Sequence, residues 1–231
     1  MSSPHVVIFD CDGTLVDGQH LVVASMEQAF LAHGLPAPDP RTTRGVIGLS
    51  LRYAVAEVLG EEMEEYAERI TDTFRDVFHE IRRTNTIGEP FYDGAIELVD
   101  ELTKWDDVYL AIATGKGRRA VDAMLEKQGW TDAFVSIQTA DNAASKPNPE
   151  MVLNAIAESG AMAETAIMIG DTSYDMQMAR SAGAHAFGVA WGYHDVDQLS
   201  KAGAHLILDD YKALRSAITG LVGSEQSGGV R

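Results

Sequence analysis

An apolar run that stops on two carboxylates constrains this chain more than any other feature. It reads His5-Val-Val-Ile-Phe-Asp10-Cys-Asp12-Gly-Thr14. Val6 to Phe9 are β-branched and aromatic with no polar alternation, the pattern of a strand covered on both faces. Such a strand belongs in a parallel sheet, where ligands bind beyond the carboxyl ends of the strands. Asp10 and Asp12 fall at that end. Two positions apart along a strand means the same direction. Like charges ~4 Å apart repel by about 4 kcal/mol at an effective dielectric of about 20. The pair therefore asks for a cation, a shared proton or a reaction. A hairpin turn at Asp12-Gly13 is the competing local reading.

From residue 92 onward, helix and strand patterns alternate. Strands are predicted at Val108–Ala113, Phe134–Ile137, Ala166–Ile169, Ala186–Val189 and His205–Leu208. Helices are predicted at Ala95–Thr103, Arg118–Gln128, Pro149–Ser159, Tyr174–Ala182, Val196–Lys201 and Tyr211–Thr219, three of them closed by Gly129, Gly160 and Gly183. This is the α/β class, a Rossmann-like parallel sheet with helices on both faces. Residues 17–86 break the alternation. Val22–His33, Leu51–Leu59 and Met63–Arg83 all follow helical spacing, with no strand candidate among them. An all-helical domain is therefore expected at 17–86, inserted into a core formed by 1–16 and 87–222. Because it begins directly after the carboxylate pair, it is expected to sit over that site. The Ser/Gly-rich segment 223–231 reads as a disordered tail.

A net charge of −17 argues against nucleic acid and anionic membranes as partners. It does not exclude an anionic substrate, since a metal in the site overrides global charge locally. Cys11 is the only cysteine, so no intrachain disulfide forms, which fits a reducing compartment. Its side chain should point away from those of Asp10 and Asp12, making it a buried spacer and not a nucleophile. The first apolar run is too short for a secretory leader, and no stretch approaches the ~20 apolar residues of a membrane span. A soluble cytoplasmic protein is expected.

Four strand or loop ends carry polar punctuation. They are Asp10-Cys-Asp12-Gly-Thr14, Thr114-Gly115-Lys116 after VYLAIA, Ser145-Lys146-Pro147 before a helix, and Gly170-Asp171-Thr172-Ser173-Tyr174-Asp175 after AIMI. Separately, Thr114-Gly115 suits a helix start, Lys146 a solvated loop, and Asp171 an N-cap. Together at one edge of one sheet they describe a single site. Several carboxylates with only oxygen ligands on offer suit Mg²⁺. A hydroxyl, backbone N–H groups and a lysine suit the equatorial oxygens of a phosphoryl group. One carboxylate can attack in line to give an aspartyl-phosphate, and a second can protonate the leaving oxygen and then deprotonate water.

This constellation resembles the haloacid dehalogenase superfamily, in its phosphatase branch with an α-helical cap and specifically the phosphoglycolate phosphatase-like group. The resemblance spans about residues 5 to 220. It implies that Asp10 is the nucleophile and a Mg²⁺ ligand, and that Asp12 is the general acid/base with its backbone carbonyl on the metal. It implies that Thr14 orders the loop and that Thr114 and Gly115 bind phosphate. Lys146 bridges nucleophile and phosphate, Asp171 is the remaining protein metal ligand, and Asp175 is an outer-shell carboxylate. Lys116 joins the phosphate- and substrate-binding set. The segment Gly45-Val-Ile-Gly48-Leu-Ser50-Leu-Arg52 looks like the substrate-facing loop of this group, with Arg52 as its candidate for a substrate carboxylate.

The activity so implied is Mg²⁺-dependent hydrolysis of a small phosphorylated metabolite, with 2-phosphoglycolate as the leading substrate. Asp12 argues against dehalogenases, which lack the second Asp. The lysine-free insertion argues against phosphonoacetaldehyde hydrolases, which need a cap lysine. A phosphomutase of the β-phosphoglucomutase type is the alternative on the same scaffold. A phospho-accepting signalling module is the alternative from another class, though such modules are roughly half this length and carry no helical insertion. Oligomeric state is left open by the sequence.

Overall fold

The structure, a computed structural model, describes residues 4–84 and 87–226. Its centre is β1 (His5–Phe9), fully buried along its length. Around it lie β2 (Val108–Ala113), β3 (Phe134–Gln138), β4 (Ala166–Gly170), β5 (His185–Val189) and β6 (Leu206–Leu208). The six strands form one sheet in the order β3-β2-β1-β4-β5-β6, with every neighbouring pair parallel. Strand order reverses at β1, which has β2 on one side and β4 on the other. A crevice opens beyond the carboxyl ends of strands at such a reversal, and Asp10 stands directly in it.

The alternation of side chains along β1 explains why the run carries no polar residue. Val7 and Phe9 pack on one face, with α5 (Ala95–Leu102), α6 (Arg118–Gln128) and α10 (Tyr211–Gln226). Val6 and Ile8 pack on the other, against α7 (Glu150–Ser159) and α8 (Ser173–Ala182). α9 (Val196–Lys201) covers the same face through Leu199. Cys11 continues the odd-numbered series into the first cluster as a buried free thiol.

Between β1 and α5 the described chain is helical. α1 (Gln19–Ala32), α2 (Pro40–Gly45), α3 (Leu51–Leu59) and α4 (Ala67–Thr84) precede the return to the sheet. They share a separate apolar cluster, built from Met26, Ala29 and Phe30 of α1, Val55 and Leu59 of α3, and Ile70 and Phe74 of α4. No strand residue belongs to it.

Three local features differ from the sequence reading. α2 was not expected, although its signal is present: the Asp39 side chain accepts from the Arg41 N–H at 2.6 Å and Pro40 opens the helix. The helix expected at Met63–Arg83 starts later than expected. Met63 leaves helical geometry (φ −125°, ψ 17°) within a 3-10 segment at Glu61–Tyr66, and α4 starts after it. α10 continues to Gln226, into the segment expected to be disordered, while 227–231 lie outside the described residues. No described helix is long and apolar enough to cross a membrane.

Candidate active site

β1 delivers Asp10 into the crevice, and its neighbours then fix it. The Asp10 N–H donates to the Ile169 carbonyl of β4 at 3.0 Å, and its own Oδ1 accepts from the Cys11 N–H at 2.7 Å. Oδ2 lies 2.9 Å from Lys146 Nζ, which also reaches Asp175 Oδ1 at 2.6 Å. Lys146 and both carboxylates are essentially sealed from solvent. Asp175 is held in turn as the partner of the Thr172 N-cap of α8, accepting from its N–H at 3.0 Å and its hydroxyl at 2.7 Å.

Asp171 follows β4 as Asp10 follows β1. Thr14 donates to its Oδ1 at 3.1 Å and the Tyr193 N–H to its Oδ2 at 2.8 Å. Backbone presses on it from two sides. A Cβ on Gly13, whose φ is +80°, would fall 2.1 Å from Asp171 Oδ2, and one on Gly192 would fall 2.1 Å from Asp171 Cβ. Carboxylate oxygens of Asp10, Asp171 and Asp175 lie within 4.8 Å of one another. Among the described residues, Lys146 is the one cation that pairs with any of these three buried carboxylates, and it reaches Asp10 and Asp175. Burial, together with Asp175's charge and against the pull of Lys146, pushes Asp10 up to about 6. Burial, then the charges of Asp10 and Asp175, holds Asp171 well above the usual carboxylate range. The hard oxygen donors and the excess negative charge fit a divalent cation such as Mg²⁺.

Asp12 is held differently from Asp10. Its two carboxylate oxygens accept from Lys116 Nζ at 2.8 and 3.0 Å. The same ammonium lies 2.7 Å from Glu89, which also pairs with Arg82 of α4 at 3.1 Å. Lys116, expected to bind phosphate or substrate, therefore has two carboxylate partners that the expectation did not name. Thr114 is buried at the end of β2 and accepts from the Lys116 N–H at 3.2 Å.

The helical insertion rests on this floor. A Cβ on Gly115 would fall 2.6 Å from the carbonyl oxygens of Gly48 and Leu49, so only glycine lets the insertion's loop come this close. The Ser50 N–H donates to Ser145 Oγ at 2.9 Å. Tyr174 donates its hydroxyl to the Gly45 carbonyl at 3.3 Å. His194 meets the same carbonyl through Nε2 at 3.1 Å, while its Nδ1 accepts from the Ser173 N–H. A cavity of about 510 Å³ remains between the two layers. Asp10, Asp12, Thr114, Gly115, Lys116 and Arg52 all line it, with Met26, Phe74 and Phe78 as part of its apolar wall. Thr14, Lys146, Asp171 and Asp175 do not line it: Lys146 holds Asp10 and Asp175, and Thr14 holds Asp171. Arg52 is exposed on α3, and no described side chain pairs with it.

Sequence reasoning did not find Glu89, Gly192 or Tyr193. Glu89 sits in the non-periodic return from the insertion, and Gly192-Tyr193 in a loop after β5. The only sequence signal available was the run of Trp191, Gly192 and Tyr193 beyond a strand end on the active edge.

The sequence matches the haloacid dehalogenase-like hydrolase family over residues 7–189. It is 38% identical over 221 residues to a protein named Probable phosphatase IndB from Dickeya dadantii, covering 94% of each chain. It is 31% identical to a phosphoglycolate phosphatase of Agrobacterium fabrum, over 92% of this chain and 91% of that one. The fold superimposes on the crystal structure of a hydrolase from Pseudomonas syringae with a TM-score of 0.81 at 27% identity, covering 94% and 98% of the two chains. The edge geometry, the family match and these phosphatase relatives agree: the chain belongs to the haloacid dehalogenase-like hydrolases, as a phosphatase of phosphoric monoesters.

Proposed function

We propose that this phosphatase is Mg²⁺-dependent and hydrolyses a small phosphomonoester through an aspartyl-phosphate on Asp10. The observation that carries this is the buried group of Asp10, Asp171 and Asp175 at the mouth of β1, with Lys146 paired to Asp10 and Asp175. Asp10 and Asp171 with the Asp12 backbone carbonyl would hold the ion, which when bound would neutralise phosphoryl charge. Lys146 keeps the Asp10 carboxylate in one orientation and supplies positive charge beside it. Thr114 and Gly115 line the cavity, and their hydroxyl and N–H are our candidates for binding phosphoryl oxygens. Asp10 attacks phosphorus as the ester bond breaks, and Asp12 gives its proton to the departing oxygen. Asp12 then takes a proton from water, and the water oxygen displaces Asp10 from phosphorus. Residues 17–86 act as a cap that excludes bulk water during both steps. We place the activity in the cytoplasm, on a free metabolite.

Intermediate trapping tests the division of labour. Asp12→Ala leaves the nucleophile in place and removes the proton relay. With p-nitrophenyl phosphate, whose leaving group needs no proton, phosphorylation should outlast hydrolysis. Mass spectrometry should then find phosphate on Asp10. Continued multiple turnover with no phosphoprotein would remove Asp12 from the general-base role.

The alkyl ester 2-phosphoglycolate, which also carries a carboxylate, is the first substrate to assay, because a relative is named for it. Arg52 lines the cavity and is our candidate for that carboxylate. A charge-assisted contact is worth roughly 1.5–3 kcal/mol, or about one to two decades in kcat/KM. Arg52→Ala should therefore lower kcat/KM for 2-phosphoglycolate much more than for p-nitrophenyl phosphate. Equal losses on both esters would show that Arg52 does not read the substrate. Preference for a sugar phosphate together with a bisphosphate requirement would point to a mutase.

A further inference from the structure

We propose that Glu89 is a positioning residue for the phosphatase reaction, acting on Asp12 through Lys116. The inference rests on the reading of Asp12 as the acid/base, and none of the sequence motifs includes Glu89. The geometry is a chain of charges across three parts of the molecule. Arg82 on α4 pairs with Glu89 at 3.1 Å, Glu89 with Lys116 at 2.7 Å, and Lys116 with both oxygens of Asp12 at 2.8 and 3.0 Å. Lys116 and Asp12 belong to the core, Arg82 to the helical insertion, and Glu89 to the chain returning between them.

The chain is enclosed. The side chains of Lys116, Asp12 and Glu89 are 6%, 12% and 12% exposed, and Arg82 is 28% exposed. The Phe78 ring of α4 covers it, with Lys116 Nζ at 5.7 Å and the Arg82 guanidinium at 5.8 Å from its centroid. A lysine ammonium on a flexible stem has three rotatable donors and no geometry of its own. What fixes it here is the second anion. Glu89 anchors the ammonium from one side, so that the donors aimed at Asp12 stay aimed. Beside the same charges the backbone closes in, since a Cβ on Gly18 would fall 2.5 Å from Asp12 Oδ1 and 3.5 Å from Glu89 Oε1. The carboxylate is thus confined by an anchored cation and a bare stretch of main chain, both at the junction with the insertion. Because Arg82 grips Glu89 from α4, Asp12 is in its working position when the insertion is seated.

Glu89→Gln removes the charge and keeps the shape. It should lower kcat roughly 10- to 100-fold while KM changes by less than about threefold. Glu89→Asp, which keeps the anion on a shorter arm, should recover part of the loss. Lys116→Met should cost at least as much as Glu89→Gln, and the double variant should be no slower than Lys116→Met alone, because Glu89 acts only through that ammonium. Losses that multiply in the double variant would overturn the proposal, as would an unchanged kcat in folded Glu89→Gln. If Lys116→Met does not fold, the kcat-against-KM split and the Glu89→Asp recovery decide alone. Asp10→Asn, run beside these, separates the two levels of inference. Activity that survives it defeats the aspartyl-phosphate reading, whereas activity that needs Asp10 but ignores Glu89 defeats only the positioning role.

Discussion

Asp10→Asn should lower kcat/KM by at least ~10³-fold, because on the proposed mechanism the substitution removes the attacking anion and with it a whole covalent step. The side chain keeps its size, and the Asp10 N–H bond to Ile169 does not depend on the carboxylate. Folding should therefore survive. Burial already pushes the Asp10 carboxyl up to about 6, so a neutral amide there relieves a desolvated charge and the variant should be at least as stable as the parent without metal. Loss of activity with retained stability is the expected pair of results. Near-normal turnover in a folded Asp10→Asn protein would sink the covalent mechanism.

Removal of divalent metal should abolish turnover, Mg²⁺ should restore it, and Ca²⁺ should inhibit through its larger and looser coordination shell. Full activity in excess chelator would refute the metal requirement. A second signature comes from charge and is read without any substrate. The folded protein favours protonated Asp10, whose carboxyl is raised from the ordinary 3.8 to about 6. That preference contributes stability which is fully present below pH 3.8 and is lost as pH rises through about 6. The metal-free protein should therefore weaken over that window, by on the order of 2–3 kcal/mol. Bound Mg²⁺ would offset the loss where the carboxylates are ionised. Its effect on Tm should then be distinctly larger at about pH 7.5 than at about pH 5. Equal shifts at both would mean that these carboxylates are not the ones meeting the ion.

The gathering of polar residues at the strand ends was legible because each strand writes its own terminus. VVIF and AIMI must be strands, so Asp10 and Asp171 must project from one sheet edge, and the structure pairs the two strands and brings carboxylate oxygens of Asp10 and Asp171 within 4.8 Å. Lys146 was legible only as a lysine before a helix, yet the fold buries it between Asp10 and Asp175. Periodicity shows which face of an element is apolar, but it is silent about non-periodic returns. Glu89 lies in such a return, and its meeting with Lys116 depends on how the insertion is placed on the sheet. The later start of the helix expected at Met63–Arg83 was hidden for the opposite reason. The helical spacing begins at Met63, but the backbone stays in a 3-10 segment as far as Tyr66. α2 carries a local signal of another kind, Asp39 followed by Pro40, which hydrophobic periodicity does not register.

The close approach of Gly13 and Gly192 to Asp171 bears on how such an enzyme can diversify. Two sides of this carboxylate are bounded by main chain, and main chain has no alternative residue to offer. Any side chain at either glycine would collide with Asp171 and move the anion it confines. The floor of the site is therefore inherited as a unit, while the walls contributed by the helical layer, such as Met26, Arg52, Phe74 and Phe78, are free to drift one residue at a time. New substrate preferences in this scaffold should be sought by varying that upper wall, with the glycine vise left untouched.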